Sequence, residues 1–162
     1  VNNFPTHSIV DGKFRQILEE TGMSVQKEVD MVGLARRMDL FSIVYVGSPE
    51  EARDMAEVGA DVIIAHVGTT IGGSIGVVEA AMTLEEAAAR TQKIIEAGKT
   101  VRDDVIYLSH GGPISTPEDA AYINEHTDTV GFVGASSLER MAIEGSLTNL
   151  TREFKSIPVK RK

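Results

Sequence analysis

Four apolar runs along this chain, at 41–46, 61–66, 104–109 and 129–133, each give way to a turn and then to a helix-start signal. The signals are Ser48-Pro49-Glu50-Glu51, Thr83-Leu84-Glu85-Glu86, Thr116-Pro117-Glu118-Asp119 and Ser136-Ser137-Leu138-Glu139. Each sets a hydroxyl at the N-cap and a carboxylate three residues on, the capping box or its Asp variant, with Pro at the first helical position in two of them. Strand followed by helix, repeated, restricts the chain to a parallel sheet connected by right-handed crossovers. Short runs that are apolar throughout are expected of strands buried on both faces. Ligands of such folds sit at the carboxyl ends of the strands, which directs attention to the turns.

The helices are legible in the same way. Ala52, Met55, Ala56 and Val58 share one face, as do Leu84, Ala87, Ala88, Thr91, Ile94 and Ile95. The N-terminal third is different: 11–20 and 25–38 both read as helical, Asp11 as an N-cap and Gly22 as a left-handed helix stop. Asn2-Asn3-Phe4-Pro5-Thr6 reads as the last part of a strand. Four strands plus that partial one fit either a small open sheet or the C-terminal portion of a barrel, in a single domain over 1–162. The six Met residues form no stripe and read as core filler.

Composition excludes several classes. Net charge is −8, and Lys and Arg are scattered apart from Lys160-Arg161-Lys162, so no basic face for nucleic acid is present. With no Cys there is no disulfide, thiolate metal site or thiol nucleophile, and a cytoplasmic setting is expected. No apolar stretch reaches membrane-span length and the opening residues do not read as a signal peptide. The expected partner is a small anionic molecule.

Two turns are candidates for holding it. Gly134-Ala135-Ser136-Ser137 offers several N–H groups and two hydroxyls at a helix start, where an anion is favoured, although an ordinary capped turn reads the same. In His110-Gly111-Gly112-Pro113 two glycines allow close backbone approach beside an imidazole. His66 also ends a strand, before a glycine and hydroxyl-rich loop that includes Thr69, Thr70, Gly72 and Gly73 and suits a closing segment. It matches neither the Walker nor the dinucleotide fingerprint. His66 and His110 stand at equivalent strand ends and could serve as acid and base or as metal ligands. His7 lies in the opening loop, His126 at a helix C-terminus, and Glu139-Arg140 could orient a substrate, with Glu139 also serving as a cap.

Taken together, Asn3-Phe4-Pro5-Thr6, Asp11-Gly12-Lys13-Phe14-Arg15, Leu18-Glu19-Glu20-Thr21-Gly22-Met23, Gly59-Ala60-Asp61, Ala65-His66, Gly72-Gly73-Ser74-Ile75-Gly76, His110-Gly111-Gly112-Pro113-Ile114 and Gly131-Phe132 through Ser137, with Glu139-Arg140, resemble the phosphoenolpyruvate hydrolase-like family, also called TIM-barrel signal transduction proteins. A plant tobamovirus-resistance protein carries a related C-terminal domain. Ser109 stands where the family has Cys, Val133 where it has an aromatic, and Val67-Gly68-Thr69-Thr70-Ile71 departs from its pattern. The resemblance implies an α/β fold, the C-terminal portion of a TIM (β/α)₈ barrel whose N-terminal strands are missing. It implies a hydrolase or lyase acting on phosphoenolpyruvate, phosphonopyruvate or a similar phospho- or carboxylate compound, or else a non-catalytic signal-transduction module keeping the pocket. His66 and His110 would be catalytic. Thr69, Thr70, Gly72, Gly73, Gly111, Gly112, Gly134, Ala135, Ser136 and Ser137 would bind the ligand, with Mg²⁺ as cofactor. A homo-oligomer, or a fragment of a larger barrel, is expected because half a barrel leaves open sheet edges.

Overall fold

A computed structural model describes residues 1–3, 9–10, 12–74 and 76–158. Three strands, β1 (Ile43–Val46), β2 (Val62–His66) and β3 (Ile106–His110), form a parallel sheet in the order β1-β2-β3. The register pairs Val46 with Ala65 and His66 with His110. Among the described residues six α-helices accompany them: α1 (Gly12–Glu20), α2 (Val25–Arg37), α3 (Pro49–Glu57), α4 (Leu84–Lys99), α5 (Pro117–His126) and α6 (Met141–Ser156). The expected α/β architecture with parallel strands is therefore present. The Asp11 cap, His7 and the 160–162 tail lie outside the described residues.

Because strand side chains alternate, Val44, Val46, Ile63, Ala65 and Tyr107 share one face and meet Val29 and Val32 of α2, Met55 and Ala56 of α3, and Ile94 and Ile95 of α4. A second cluster of Val67, Ala87, Ala88, Ile114 and Ile123 continues the core toward the carboxyl ends of the strands. Tyr45, Ile64 and Leu108 alternate onto the opposite face, followed one pair later by His66 and His110.

The cap signals act locally. Thr83 and Thr116 close complete capping boxes with Glu86 and Asp119. Ser48 accepts from the Glu51 N–H, but the Glu51 carboxylate reaches past the cap to the Gly47 N–H at 2.7 Å. Gly22 is left-handed, with φ of 85°, as its place after α1 requires.

Three expectations need correction. Residues 129–133 form no named strand: they join β3 through one bridge, Ser109 to Phe132, and through N–H bonds from Val130 to Tyr107 O, Ser109 to Gly131 O and Val133 to Ser109 O. The segment is an edge, and Val130 is 74% exposed. Ser136 caps nothing with its side chain; Ser136–Arg140 is a π-helical turn whose Leu138 and Glu139 N–H groups both go to the Ala135 carbonyl. Among the methionines Met55 is buried, whereas Met23 and Met38 are exposed at turn and helix-end positions. At the other edge Val1 and Asn3 run beside β1, the Asn3 amide bonding both the N–H and the carbonyl of Tyr45. That agrees with a strand ending there, although 4–6 lie outside the described residues. Helix α6 buries no residue, and Ile143, Leu147, Leu150 and Phe154 are exposed along it.

Candidate functional site

The turns after β2 and β3 interlock. The Gly112 N–H donates to the Gly68 carbonyl at 2.7 Å, and the Ile71 N–H donates to the Gly112 carbonyl. Gly111 and Gly112 have φ of 82° and 56°. A Cβ on Gly111 would run into the Gly68 carbonyl oxygen, and one on Gly112 would lie 2.7 Å from the Val67 oxygen. The close approach these glycines permit is thus made by the neighbouring turn, which already takes the Gly112 donor.

That interlock seats the two histidines. Their rings are 4.8 Å apart, edge to face, with the half-buried Tyr45 ring 5.7 Å from His66 and 5.3 Å from His110. Tyr45 was not among the residues singled out by sequence, although the two-residue period of β1 and its register with Ile64 put it on the His66 face. The hydrogen bonds assign the tautomers. The Gly68 N–H donates to His66 Nδ1 at 3.2 Å, so the neutral His66 ring carries its proton on Nε2. His110 Nδ1 lies 2.6 Å from the Val133 carbonyl, which can only accept, so Nδ1 is protonated and Nε2 holds a lone pair. Burial keeps both rings neutral. It lowers His66 to about 4, helped by the charges of His110 and Arg90, and it lowers His110 despite the Val133 bond. Burial, followed by the negative charge of Glu139, pushes the Tyr45 hydroxyl up. The pair therefore holds one N–H donor, able to hydrogen-bond a developing negative charge, and one nitrogen acceptor, able to act as a base.

Directly after Val133 the chain enters Gly134-Ala135-Ser136-Ser137, and no acceptor among the described residues takes the N–H groups of these four. Leu138 packs back on Gly134, where a Cβ would lie 2.5 Å from its Cδ1. The glycine loop is anchored from the same side. Arg140 donates to the Gly72 carbonyl at 3.2 Å and pairs with Glu144, whose carboxylate accepts the Ser74 N–H at 2.7 Å. Gly73 makes room for that guanidinium, since a Cβ there would meet it. Arg140 therefore ties down the loop. Thr70 is buried and Thr69 exposed.

Thr69, Gly68 and Gly112 also line a cleft of about 510 Å³ at the carboxyl ends of the strands, together with Arg15 of α1, Gly47 and Glu51 at the start of α3, and Arg90 of α4. His66 and His110 do not line it. Arg15 pairs with Glu51 at 2.7 Å and with Glu19 at 3.2 Å. Arg90 donates to the Gly47 carbonyl at 2.7 Å. Nothing in the spacing of Arg90 marked it, because it lies on an exposed stretch of a long helix.

The donor set does not fit the Mg²⁺ that the resemblance implies. Mg²⁺ takes oxygen ligands in octahedral geometry, whereas the two strand-end histidines supply nitrogen. Among the described residues no group of three or more His, Asp or Glu side chains could hold an ion. No helix among the described residues is long and apolar enough to cross a membrane.

Comparison with known proteins gives the family of the chain. The ToMV susceptible protein tm-1(GCR26) and the ToMV resistance protein Tm-1(GCR237) of Solanum lycopersicum are each 49% identical over 158 residues, covering 97% of this chain and 21% of theirs. A Sinorhizobium fredii protein, y4pA, named for a proposed role in transcriptional regulation, is 30% identical over 96% of this chain and 25% of its own. The chain thus spans about a fifth to a quarter of the curated relatives it matches. The solved N-acetylmannosamine-6-phosphate 2-epimerase of Clostridium perfringens superposes with a TM-score of 0.46 at 14% identity, over 80% of this chain and 48% of that one. The model of the phosphoenolpyruvate hydrolase-like family matches residues 1–157, and the chain belongs to that family.

Proposed function

We propose that this chain is the C-terminal portion of a (β/α)₈ barrel that hydrolyses a small phospho compound of the phosphoenolpyruvate or phosphonopyruvate type. The observation that carries the reading is the pair of oppositely protonated imidazoles at the paired ends of β2 and β3. In the proposed step His110 Nε2 takes a proton from water as its oxygen attacks phosphorus. For phosphoenolpyruvate the bond from phosphorus to the enol oxygen breaks while the neutral His66 donates a hydrogen bond from Nε2–H to that oxygen, and the proton His110 took from water passes to it; for phosphonopyruvate the bond broken is phosphorus to carbon, and the same proton goes to the departing enolate. For phosphoenolpyruvate the products are phosphate and the enol of pyruvate. The open N–H groups of Gly134, Ala135, Ser136 and Ser137 hold the anion beside His110. The glycine loop from Thr69 to Gly73 closes over it, latched by Arg140. Mg²⁺ enters none of these steps.

The five parallel chain segments from Val1 to Val133, together with the uncovered apolar stripe of α6, support a barrel that another segment or a second copy completes. A solution molar mass above that of one chain would support completion by a second copy. A stable, well-folded monomer would count against it.

The test of catalysis is phosphate release from phosphoenolpyruvate and phosphonopyruvate. His110→Ala is expected to lower turnover by at least about 100-fold, the usual contribution of a positioned acid or base. Full activity in that variant removes His110 from the mechanism.

One observation favours a second reading. His66 and His110 are only 3% and 7% exposed, which suits a structural pair in a ligand-binding or signal-transduction module that performs no chemistry. The relatives named for resistance and regulation agree with such a module. Ligand binding without release of phosphate, in wild type and His110→Ala alike, would establish it.

A further inference from the structure

We propose that the cleft in front of α3 is a second ligand site, distinct from the histidine pair, which binds a small carboxylate through the guanidinium of Arg90. The cleft, about 510 Å³, is within the range of small-molecule sites, and it lies where the β1, β2 and β3 turns converge. Its charged groups divide into wall and anchor. Arg15 is held by Glu51 and Glu19, while the second Glu51 oxygen accepts the Gly47 N–H, so those charges are spent on one another.

Arg90 is differently placed. It forms one hydrogen bond, to the Gly47 carbonyl, and no carboxylate among the described residues lies within ion-pair distance of it. A guanidinium has five N–H donors in a planar fork matched to two oxygens of one acid group, so the fork has capacity for a ligand. On the same walls Thr69 offers an N–H and a hydroxyl with no acceptor among the described residues, and Val67, Ala81 and Met82 supply apolar surface. The presence of Glu79 in the lining opposes a doubly charged group, which selects a monocarboxylate over phosphate. The site borders the proposed hydrolytic one through Thr69 of the glycine loop, but neither histidine lines the cleft, so its binding does not need them.

Titration of the protein with pyruvate, followed through the amide NMR signals of Gly47, Gly68 and Thr69, tests the inference. Saturable shifts are expected in wild type and, unchanged, in His110→Ala. Arg90→Gln keeps a donor for the Gly47 carbonyl and removes the fork, and it is expected to weaken binding at least tenfold. Ala81→Trp leaves Arg90 intact and fills the cleft with a bulky ring at an exposed position, with the same expected loss. Absence of saturable shifts in wild type, or shifts undiminished in both cleft variants, overturns the proposal. Stronger binding of inorganic phosphate than of pyruvate overturns the carboxylate assignment. Loss of the shifts in His110→Ala overturns the separation of the two sites. Failure of phosphate release alone bears only on the hydrolytic reading.

Discussion

The turn after β3 and the turn after Val133 look alike as sequence, each a glycine at the end of an apolar run before a Ser or Thr. They differ in where their N–H groups go. Gly112 donates to Gly68, and both Gly111 and Gly112 press against the β2 turn with no room for a side chain. Gly134 to Ser137 donate to nothing described, and Gly134 meets side chains rather than backbone, the flexible end of Leu138 and the Phe132 ring. Glycine at a strand end therefore has two distinct uses. It brings two backbones into contact, or it leaves donors open. Only the second leaves donors for the proposed anion.

Gly111→Ala breaks the comparison most severely. The left-handed φ of 82° and the collision with a backbone carbonyl cannot both relax without parting the two turns. A loss of about 3 to 4 kcal/mol is expected from strain and displaced packing together. Denaturant unfolding of wild type and variant measures it, and a loss under 1 kcal/mol would mean that the interlock is loose.

The pH response separates the turns next, because the first of them seats two buried histidines. An ordinary His titrates near 6.5, and His66 in the fold titrates at about 4. As pH falls, the unfolded chain takes up this proton first. The contribution is therefore fully present above 6.5 and declines between 6.5 and about 4, by about 3 kcal/mol. His110, also lowered, adds in the same direction. Comparing wild type with His66→Gln at pH 7 and 4.5 isolates this from the carboxylates, and the variant should show the shallower decline. Equal slopes would mean that the His66 ring is hydrated in the fold.

What could be read in advance followed from local causes. Apolar runs and cap residues located β1, β2 and β3 and the starts of α3, α4 and α5, because a hydroxyl cap and an apolar face act within a few residues. The strand ends carrying His66 and His110 were legible for the same reason. Their opposite tautomers were not, since these depend on Gly68 and on Val133, the latter 23 residues away in sequence. Tyr45 needed the register, and Arg90 needed the fold to bring α4 against the β1 turn. The run at 129–133 had the right composition, but strand character depends on pairing, and this segment has a neighbour on one side only among the described residues.

The smallest expected effect concerns the two hydroxyl caps that read identically as sequence. Thr116 accepts the Asp119 N–H while the Asp119 carboxylate accepts the Thr116 N–H, so Thr116→Ala orphans a donor at the start of α5 and should cost about 1 kcal/mol. Ser136 makes no such bond, because the Ala135 carbonyl gathers the following N–H groups into a π-helical turn. Ser136→Ala should therefore stay within about 0.5 kcal/mol of wild type. Paired unfolding curves distinguish the two cases. A loss at Ser136 equal to that at Thr116 would mean that its hydroxyl caps α6 in solution, closing the turn that the proposed anion needs open.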